Sequence, residues 1–269
     1  MKAAAFDFIR PTSLPEALEA LSRPDAKVMS GGQSLGPMLN LRLARPGLVV
    51  GIHHLPDLHR VENTTDSLTL GAAITHAAIE DGKVPDNTQG AMAYVAADIA
   101  YRAVRNRGTI GGSLAHADPA ADWPCLLSAL GAEARIIGPD NKRRAVPVDR
   151  LSLGAFTPDL EQGEIIEAVR IPTLEKGARW GYVKFCRKVG EFADAMAAVV
   201  CDNRGWRFAI GATEGKVAVF SGELASEMTQ SQAAMRAGLE SHGLGQDRVS
   251  LQLHLAALRR SLAMAGGSA

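Results

Sequence analysis

The chain has 269 residues with 29 basic and 29 acidic side chains, and no block of like charge. This balance gives no reason to expect a nucleic acid or a membrane surface as a partner. The N-terminal segment lacks a signal-peptide pattern and no run approaches eighteen apolar residues, so we expect a cytosolic protein without membrane insertion. The three cysteines are isolated, which argues against a disulfide framework and an internal iron–sulfur or zinc site.

The first predicted elements form a small unit over residues 1–54. Ser13 and Glu16 have the spacing of a capping box, and the apolar residues after Ser13 repeat with a helical period. A strand in AKVM, a short helix in SLGPMLNLRLA with Ser34 at its N-cap position, and a strand in GLVVGI follow. We therefore expect a β-α-β-like unit.

A second unit is predicted over residues 55–172. Its buried helices lie in NTQGAMAYVAADIA and DPAADWPCLLSAL, the latter capped by Asp118 with Pro119 at its first helical position. A hairpin turns at residues 138–141, and the strand EIIEAVRIP ends at Pro172.

After the polar segment TLEKGA, the pattern changes to three antiparallel strands, the last two joined at residues 203–205. Residues 231–265 are predicted to be helical. We accordingly expect a domain over residues 1–172 and a second one over 173–269.

Two glycine-rich stretches are candidates for ligand binding: the first glycine segment, SGGQS at 30–34, and the second glycine segment, RGTIGGS at 107–113. Glycine lets a ligand approach the backbone closely, and successive N–H groups in a turn form a concave anion site. We expect the second glycine segment to be non-helical. Two such loops predict a shared pyrophosphate, and hence a dinucleotide; the alternative for either alone is a tight turn without a ligand.

Several familiar sites are excluded by spacing. The chain contains no P-loop motif, and neither glycine segment matches the dinucleotide fingerprint of a Rossmann fold. The adjacent His53 and His54 would point apart on a strand, so they do not form a chelating pair. No catalytic residue and no metal ligand is predicted.

Three segments resemble the FAD-binding medium subunit of molybdenum hydroxylases, the group of the carbon monoxide, nicotine and xanthine dehydrogenases. They are SGGQSLGPMLNLRLARP, RNRGTIGGSLAHADPAADWP and GYVKFCRKVGEFA. The resemblance covers about residues 5–215. It implies an α+β fold: a two-part FAD-binding domain of the p-cresol methylhydroxylase/vanillyl-alcohol oxidase type (parts 1–54 and 55–172), then a small flavoprotein domain of a three-stranded antiparallel sheet with helices.

The resemblance also implies a set of cofactor contacts. Ile99 lines the cofactor, Asp122 lies near its ribityl and ribose hydroxyls, Ile166 packs near the flavin ring and Lys184 approaches that ring. Backbone amides of both glycine segments bind the pyrophosphate, from Ser30, Gly31, Gly32, Gln33, Ser34, Thr109, Ile110, Gly111, Gly112 and Ser113.

Three positions depart from the family pattern, and two side chains have a second interpretation. Ser30 replaces an alanine, Gly36 an apolar residue and Ser113 an Asn or Asp. Asp122 is alternatively a residue that stabilises the first turn of its helix, and Lys184 a solvated strand residue.

The implied function is that of an oxidoreductase subunit with non-covalent FAD, which receives electrons from [2Fe-2S] clusters of a small subunit. Molybdopterin would sit on a large subunit, in a dimer of heterotrimers. NAD, oxygen, a quinone and a carrier protein are all open as the final acceptor. The alternatives are a self-contained FAD-dependent oxidase or reductase and a non-catalytic nucleotide-binding module.

Overall fold

The N-terminal unit is a three-stranded parallel sheet with two helices, in strand order β1-β3-β2. A computed structural model describes residues 2–267; Met1, Ser268 and Ala269, which the predicted domain bounds include, lie outside the described residues. The elements are β1 (Asp7–Ile9), α1 (Leu14–Ala20), β2 (Ala26–Met29), α2 (Leu35–Asn40) and β3 (Leu48–Gly51). The predicted β-α-β-like unit is confirmed.

The predicted cap of α1 is present with one change. The Ser13 hydroxyl accepts the N–H of Glu16 at 3.3 Å, as a capping box requires. The Glu16 carboxylate, however, accepts the N–H of Thr12 at 2.6 Å instead of that of Ser13.

The middle of the chain forms a five-stranded antiparallel sheet in the order β4-β5-β10-β6-β7, with helices before and after β6 and β7. The predicted hairpin at 138–141 and the strand end at Pro172 are both confirmed. The elements are β4 (Val61–Asn63), β5 (Ser67–Gly71), α3 (His76–Glu80), α4 (Ala91–Asp98), α5 (Arg102–Arg105), α6 (Ile110–His116), α7 (Asp122–Leu130), β6 (Glu133–Ile137), β7 (Arg143–Pro147), α8 (Val148–Leu151), β8 (Ser152–Gly154), β9 (Thr157–Pro158) and β10 (Ile165–Pro172).

Two predictions around the second glycine segment are wrong. The segment is not loop alone, because Thr109 caps α6 and its glycines lie in the first turn of that helix. The next helix begins at Asp122 and not at Pro119. Ala117 takes a left-handed φ of 51°, and Asp118 instead accepts the N–H of Ala120 in a turn.

The C-terminal sheet has four antiparallel strands where three were predicted, in the order β11-β12-β13-β14. The fourth is short, and its pairing with β13 is what fixes it as a strand. Residues 231–265 are helical as predicted, in two helices separated at 242–247, where Gly243 has a φ of +82°. The elements are β11 (Arg179–Phe185), β12 (Ala195–Asp202), β13 (Gly205–Gly211), β14 (Ala218–Ser221), α9 (Gly222–Met228), α10 (Gln232–Ser241) and α11 (Arg248–Met264).

Both faces of strand β12 are buried, in different cores. Met196 and Ala198 belong to a cluster that also contains Trp123 of α7, whereas Ala197 and Val199 pack in a second cluster with α11. This alternation follows from the two-residue period of a strand.

The α+β class is confirmed, while the domain division after Pro172 stays a prediction. Among residues 2–267, no helix is long and apolar enough to cross a membrane.

Candidate cofactor site between two glycine segments

The two glycine segments pack directly against each other. A Cβ atom on Gly31 would lie 1.9 Å from the carbonyl oxygen of Arg107, so only glycine permits this approach. The Thr109 hydroxyl donates to Oγ of Ser30 at 3.0 Å, which joins the segments by a side-chain hydrogen bond. Gly32 has a φ of +72°, a conformation that glycine adopts without strain.

The backbone amides of the first glycine segment are unpaired. From Ser30 to Ser34, no N–H group has an acceptor among residues 2–267. Ser34 lies at the N-cap position of α2 but makes no side-chain cap bond there. Residues 30–32 are buried or half-buried, whereas Gln33 and Ser34 are exposed. Buried N–H groups need partners, so this row of donors is available to an anionic ligand.

In the second glycine segment the amides are used by the chain itself. Of the five predicted contact residues, only Thr109 has an N–H group without an acceptor in the described part of the chain. The other donors pair as Ile110 with Ile74 O (3.0 Å), Gly111 with Ala72 O (3.0 Å), Gly112 with Thr109 Oγ1 (3.1 Å) and Ser113 with Thr109 O (3.0 Å). These bonds attach the segment to residues 72–76.

A cavity of about 280 Å³ lies between the N-terminal unit and the five-stranded sheet. Four predicted site residues line it: Ser30, Gly111, Gly112 and Ile166. Most of its other walls are apolar, among them Val28, Ile52, Ala72, Ala115 and Leu160. The cavity therefore offers a largely apolar space next to the unpaired amides, with Lys27, Glu161 and Glu164 also at its wall.

Lys184 and Asp122 are brought together outside that cavity, at the seam between α4, α7 and β11. The Lys184 side chain is only 2% exposed, so its interpretation as a solvated residue is wrong. Its Nζ lies 2.7 Å from Asp98 O, 2.9 Å from Asp122 Oδ1 and 3.2 Å from Asp98 Oδ2. The ammonium thus donates two hydrogen bonds within the chain and forms an ion pair with a second carboxylate.

Charge and burial oppose each other in this cluster. Burial alone would lower the pKa of Lys184, but the carboxylates of Asp122 and Asp98 outweigh it and hold that pKa above its ordinary value. Burial raises the pKa of Asp122, and the Lys184 ammonium and the Tyr182 hydroxyl, which donates to Asp122 at 2.7 Å, limit the rise. The cluster is therefore a buried Lys184–Asp122 ion pair with the half-exposed Asp98 carboxylate at its edge.

Ile99 lies beside this ion pair, because it directly follows Asp98 at the end of α4. Its carbonyl accepts a hydrogen bond from Arg105 at 3.0 Å. The predicted residues thus form two groups: Ile99, Asp122 and Lys184 at the seam, and Ile166 with the glycine segments at the cavity.

His76 supports the second glycine segment and carried no signal in the sequence. The backbone N–H of His76 donates to Gly108 O at 3.0 Å, and its ring Nδ1 accepts the indole N–H of Trp123 at 2.9 Å. Burial, with a smaller effect of the nearby Arg105 charge, lowers the pKa of His76 to about 4, so the ring is neutral at pH 7. Only the fold brings these residues together, since 47 positions separate His76 from Trp123.

Comparison with known proteins identifies the family. The model of the FAD binding domain in molybdopterin dehydrogenase matches residues 4–174. The nicotine 6-hydroxylase medium subunit of Paenarthrobacter nicotinovorans is 36% identical over 99% of each chain. Subunit alpha of the 6-hydroxypseudooxynicotine dehydrogenase complex from the same organism is 37% identical over 76% of this chain and 70% of its own.

A solved structure has the same overall fold. Carbon monoxide dehydrogenase from Hydrogenophaga pseudoflava contains a chain that superposes with a TM-score of 0.88 at 30% identity, over 99% of both chains. The resemblance carried by the two glycine segments is confirmed. The chain belongs to the family of FAD-binding domains in molybdopterin dehydrogenases, and it is an oxidoreductase component with an FAD-binding domain.

Proposed function

We propose that this chain is the FAD-carrying electron-transfer subunit of a heteromeric molybdenum hydroxylase. The observation that carries the proposal is the row of unpaired amides from Ser30 to Ser34, in the segment that borders the cavity. A pyrophosphate needs several donors at once, and backbone N–H groups in a glycine-rich turn supply them. FAD, when bound, supplies reversible electron acceptance between one carrier and the next.

The residues present fit FAD in two halves. The amides of Ser30 to Ser34, with that of Thr109, hold the pyrophosphate, so one planar half lies on each side of the glycine segments. The cavity lined by Ile52 and Ile166 takes the adenosine half. The seam at Ile99, Asp122 and Lys184 borders the flavin half, which leaves Ile166 with adenosine instead of the flavin ring.

The role of Lys184 follows from its bonds. Since Lys184 is hydrogen-bonded to Asp98 O and Asp122 Oδ1 and paired with the Asp98 carboxylate, it acts by positioning these carboxylates at the seam. Asp122 then presents its remaining oxygen to the ribityl hydroxyls. A direct contact between the ammonium and the flavin ring requires that one of these hydrogen bonds be exchanged.

The relatives support the choice of partners. One relative is a medium subunit and another is a subunit of a dehydrogenase complex. We propose a large molybdopterin-binding subunit and a small [2Fe-2S] subunit as partners of this chain, assembled as a dimer of heterotrimers. Electrons reach the FAD from the small subunit and leave to an external acceptor.

The first test is FAD binding by the purified chain. We expect a yellow protein with one FAD per chain and release of the FAD into the supernatant on acid precipitation, because no His or Cys of the glycine segments is placed to attach to the ring. Flavin in the pellet contradicts non-covalent binding, and a chain that binds no FAD contradicts the proposal.

The second test separates a subunit from a complete enzyme. A chemical reductant should bleach the flavin of the isolated chain, whereas substrate should bleach it only after the large and small subunits are added. Substrate oxidation by the single chain, with molybdenum and iron shown to be absent by metal analysis, would instead establish the self-contained FAD oxidase or reductase.

A further inference from the structure

A pair of hydroxyl groups joins the two glycine segments with a defined polarity. Thr109 Oγ1 accepts the N–H of Gly112 at 3.1 Å and donates its single hydrogen to Ser30 Oγ at 3.0 Å. A hydroxyl has one hydrogen and two lone pairs, so Ser30 acts as an acceptor in this pair and keeps its own hydrogen for another partner.

The Ser30 hydroxyl hydrogen has no acceptor among residues 2–267. Ser30 lines the cavity together with Gly112, and a Cβ atom on Gly112 would lie 3.9 Å from Ser30 Cβ. The unpaired backbone N–H of Ser30 starts the row of free donors in the first glycine segment. The free hydroxyl hydrogen therefore lies where that row meets the cavity.

We propose that the Ser30 hydroxyl donates a hydrogen bond to a phosphate oxygen of the bound dinucleotide, and that Thr109 orients it as a donor. This inference rests on the proposed function. Gly112, Thr109 and Ser30 form a chain of donors that all point the same way, which suits a phosphate ester and does not suit a cation. The alanine expected at this position from the family pattern has no such donor.

The test compares FAD binding by the full chain and its Ser30→Ala variant. A hydrogen bond to a charged acceptor contributes enough for its loss to raise the FAD Kd about tenfold. Inorganic pyrophosphate, used as a competitor of FAD, should lose affinity by the same factor. Riboflavin has no phosphate, so its Kd should stay unchanged. Ser22→Ala, an exposed serine of the same unit, is the matched control.

Thr109 variants test the orientation. Thr109→Ser keeps the hydroxyl and should bind FAD like the wild type, whereas Thr109→Val should weaken binding. In the double variant Ser30→Ala/Thr109→Val, the two losses should be less than additive, because the residues act as one unit. Fully additive losses would contradict the orienting role.

Two outcomes overturn the inference. The first is a Ser30→Ala Kd for FAD within about twofold of the wild type, since a hydrogen bond to phosphate is worth more than that. The second is an equal loss of affinity for riboflavin, which would show that Ser30 only maintains the loop. A wild-type chain that binds no FAD would overturn the proposed function itself.

Discussion

The two glycine segments carry the same adjacent glycine pair but use it differently. In the first, Gly32 has a positive φ and the amides of residues 30–34 are unpaired. In the second, Gly111 and Gly112 are helical and their N–H groups donate to acceptors within the chain. In both segments a glycine admits the chain itself, because a Cβ on Gly31 would meet the Arg107 carbonyl and one on Gly111 would meet Ala72. The segments differ in their amides, since those of the first are left free for the ligand that we propose, whereas nearly all of those predicted in the second are bonded within the chain.

Because of this difference, we expect changes in the two segments to affect different properties, FAD affinity for the first segment and stability for the second. The second glycine segment is hydrogen-bonded to residues 72–76 and lies next to α7, so changes around it should act mainly on stability. The first is held by fewer bonds of its own, so changes within it should act mainly on FAD affinity. The predictions below run from the largest expected effect to the smallest.

The largest effect is expected for Lys184→Met, at the seam that fixes the start of α7. The variant leaves the Asp122 carboxylate buried without its counterion, which should lower the free energy of unfolding by about 3–5 kcal/mol. Urea unfolding of the FAD-free chain measures this. The double variant Lys184→Met/Asp122→Asn should recover part of the loss, and a double variant less stable than the single one would show that charge pairing is not the cause.

The next effect is a pH dependence set by His76. Its pKa is about 4 in the folded chain against an ordinary 6.5, so below pH 6.5 the unfolded chain binds a proton that the folded chain does not. Stability should be fully present above pH 6.5 and should decrease by about 3 kcal/mol as the pH falls to 4.

The His76→Asn variant checks the assignment. Asparagine keeps an acceptor for the Trp123 indole but does not titrate, so the dependence of the urea midpoint on pH between 6.5 and 4 should flatten. An unchanged slope would assign the dependence to other groups.

A smaller effect on stability, with loss of FAD binding, is expected for Gly31→Ala. The new Cβ meets the Arg107 carbonyl at 1.9 Å, and such overpacking costs about 1–3 kcal/mol. Gly36→Ala is the control, since a Cβ there has no atom within 4 Å and should leave FAD binding intact. FAD titration of both variants gives the comparison; equal affinities would show that the segments need not touch.

The smallest change in stability is expected for Gly112→Ala. Alanine favours a helix over glycine by up to about 1 kcal/mol, which offsets contact with the Thr109 hydroxyl at 2.8 Å. The added methyl lies on the cavity wall and should weaken FAD binding. Gly111→Ala, whose Cβ would lie 2.4 Å from that of Ala72, should instead lower the unfolding temperature. The reverse pattern would contradict the assignment of these two glycines.

Elements that rest on local chemistry were predictable from the sequence. The hydroxyl of Ser13 caps α1, and Pro172 ends β10 because proline cannot continue the ladder. The early start predicted for the helix after the second glycine segment failed because an Asp-Pro pair suits a turn as well as a helix start. The hydrogen bond from the N–H of Ala212 to Pro119 O joins residues far apart in the chain, so no local pattern encodes it.

The same limit holds for the site. Glycine spacing and family motifs indicated both segments, but which amides are free depends on the bonds from Ile110 and Gly111 to residues 72–74. Likewise, the lysine in YVKF gave no sign that its partner is Asp98, which lies 86 residues earlier in the chain. The contacts of the predicted residues with FAD stay predictions.

The side chain of Gln162 has a consequence for biosynthesis. Its amide donates to the carbonyls of Leu21 and Arg23, across 141 and 139 residues, and Gln162 is itself part of the cavity wall. The N-terminal unit leaves the ribosome long before this wall exists. The cavity is therefore completed only after more than half of the chain has been translated, so the FAD binding that we propose for it has to wait until then.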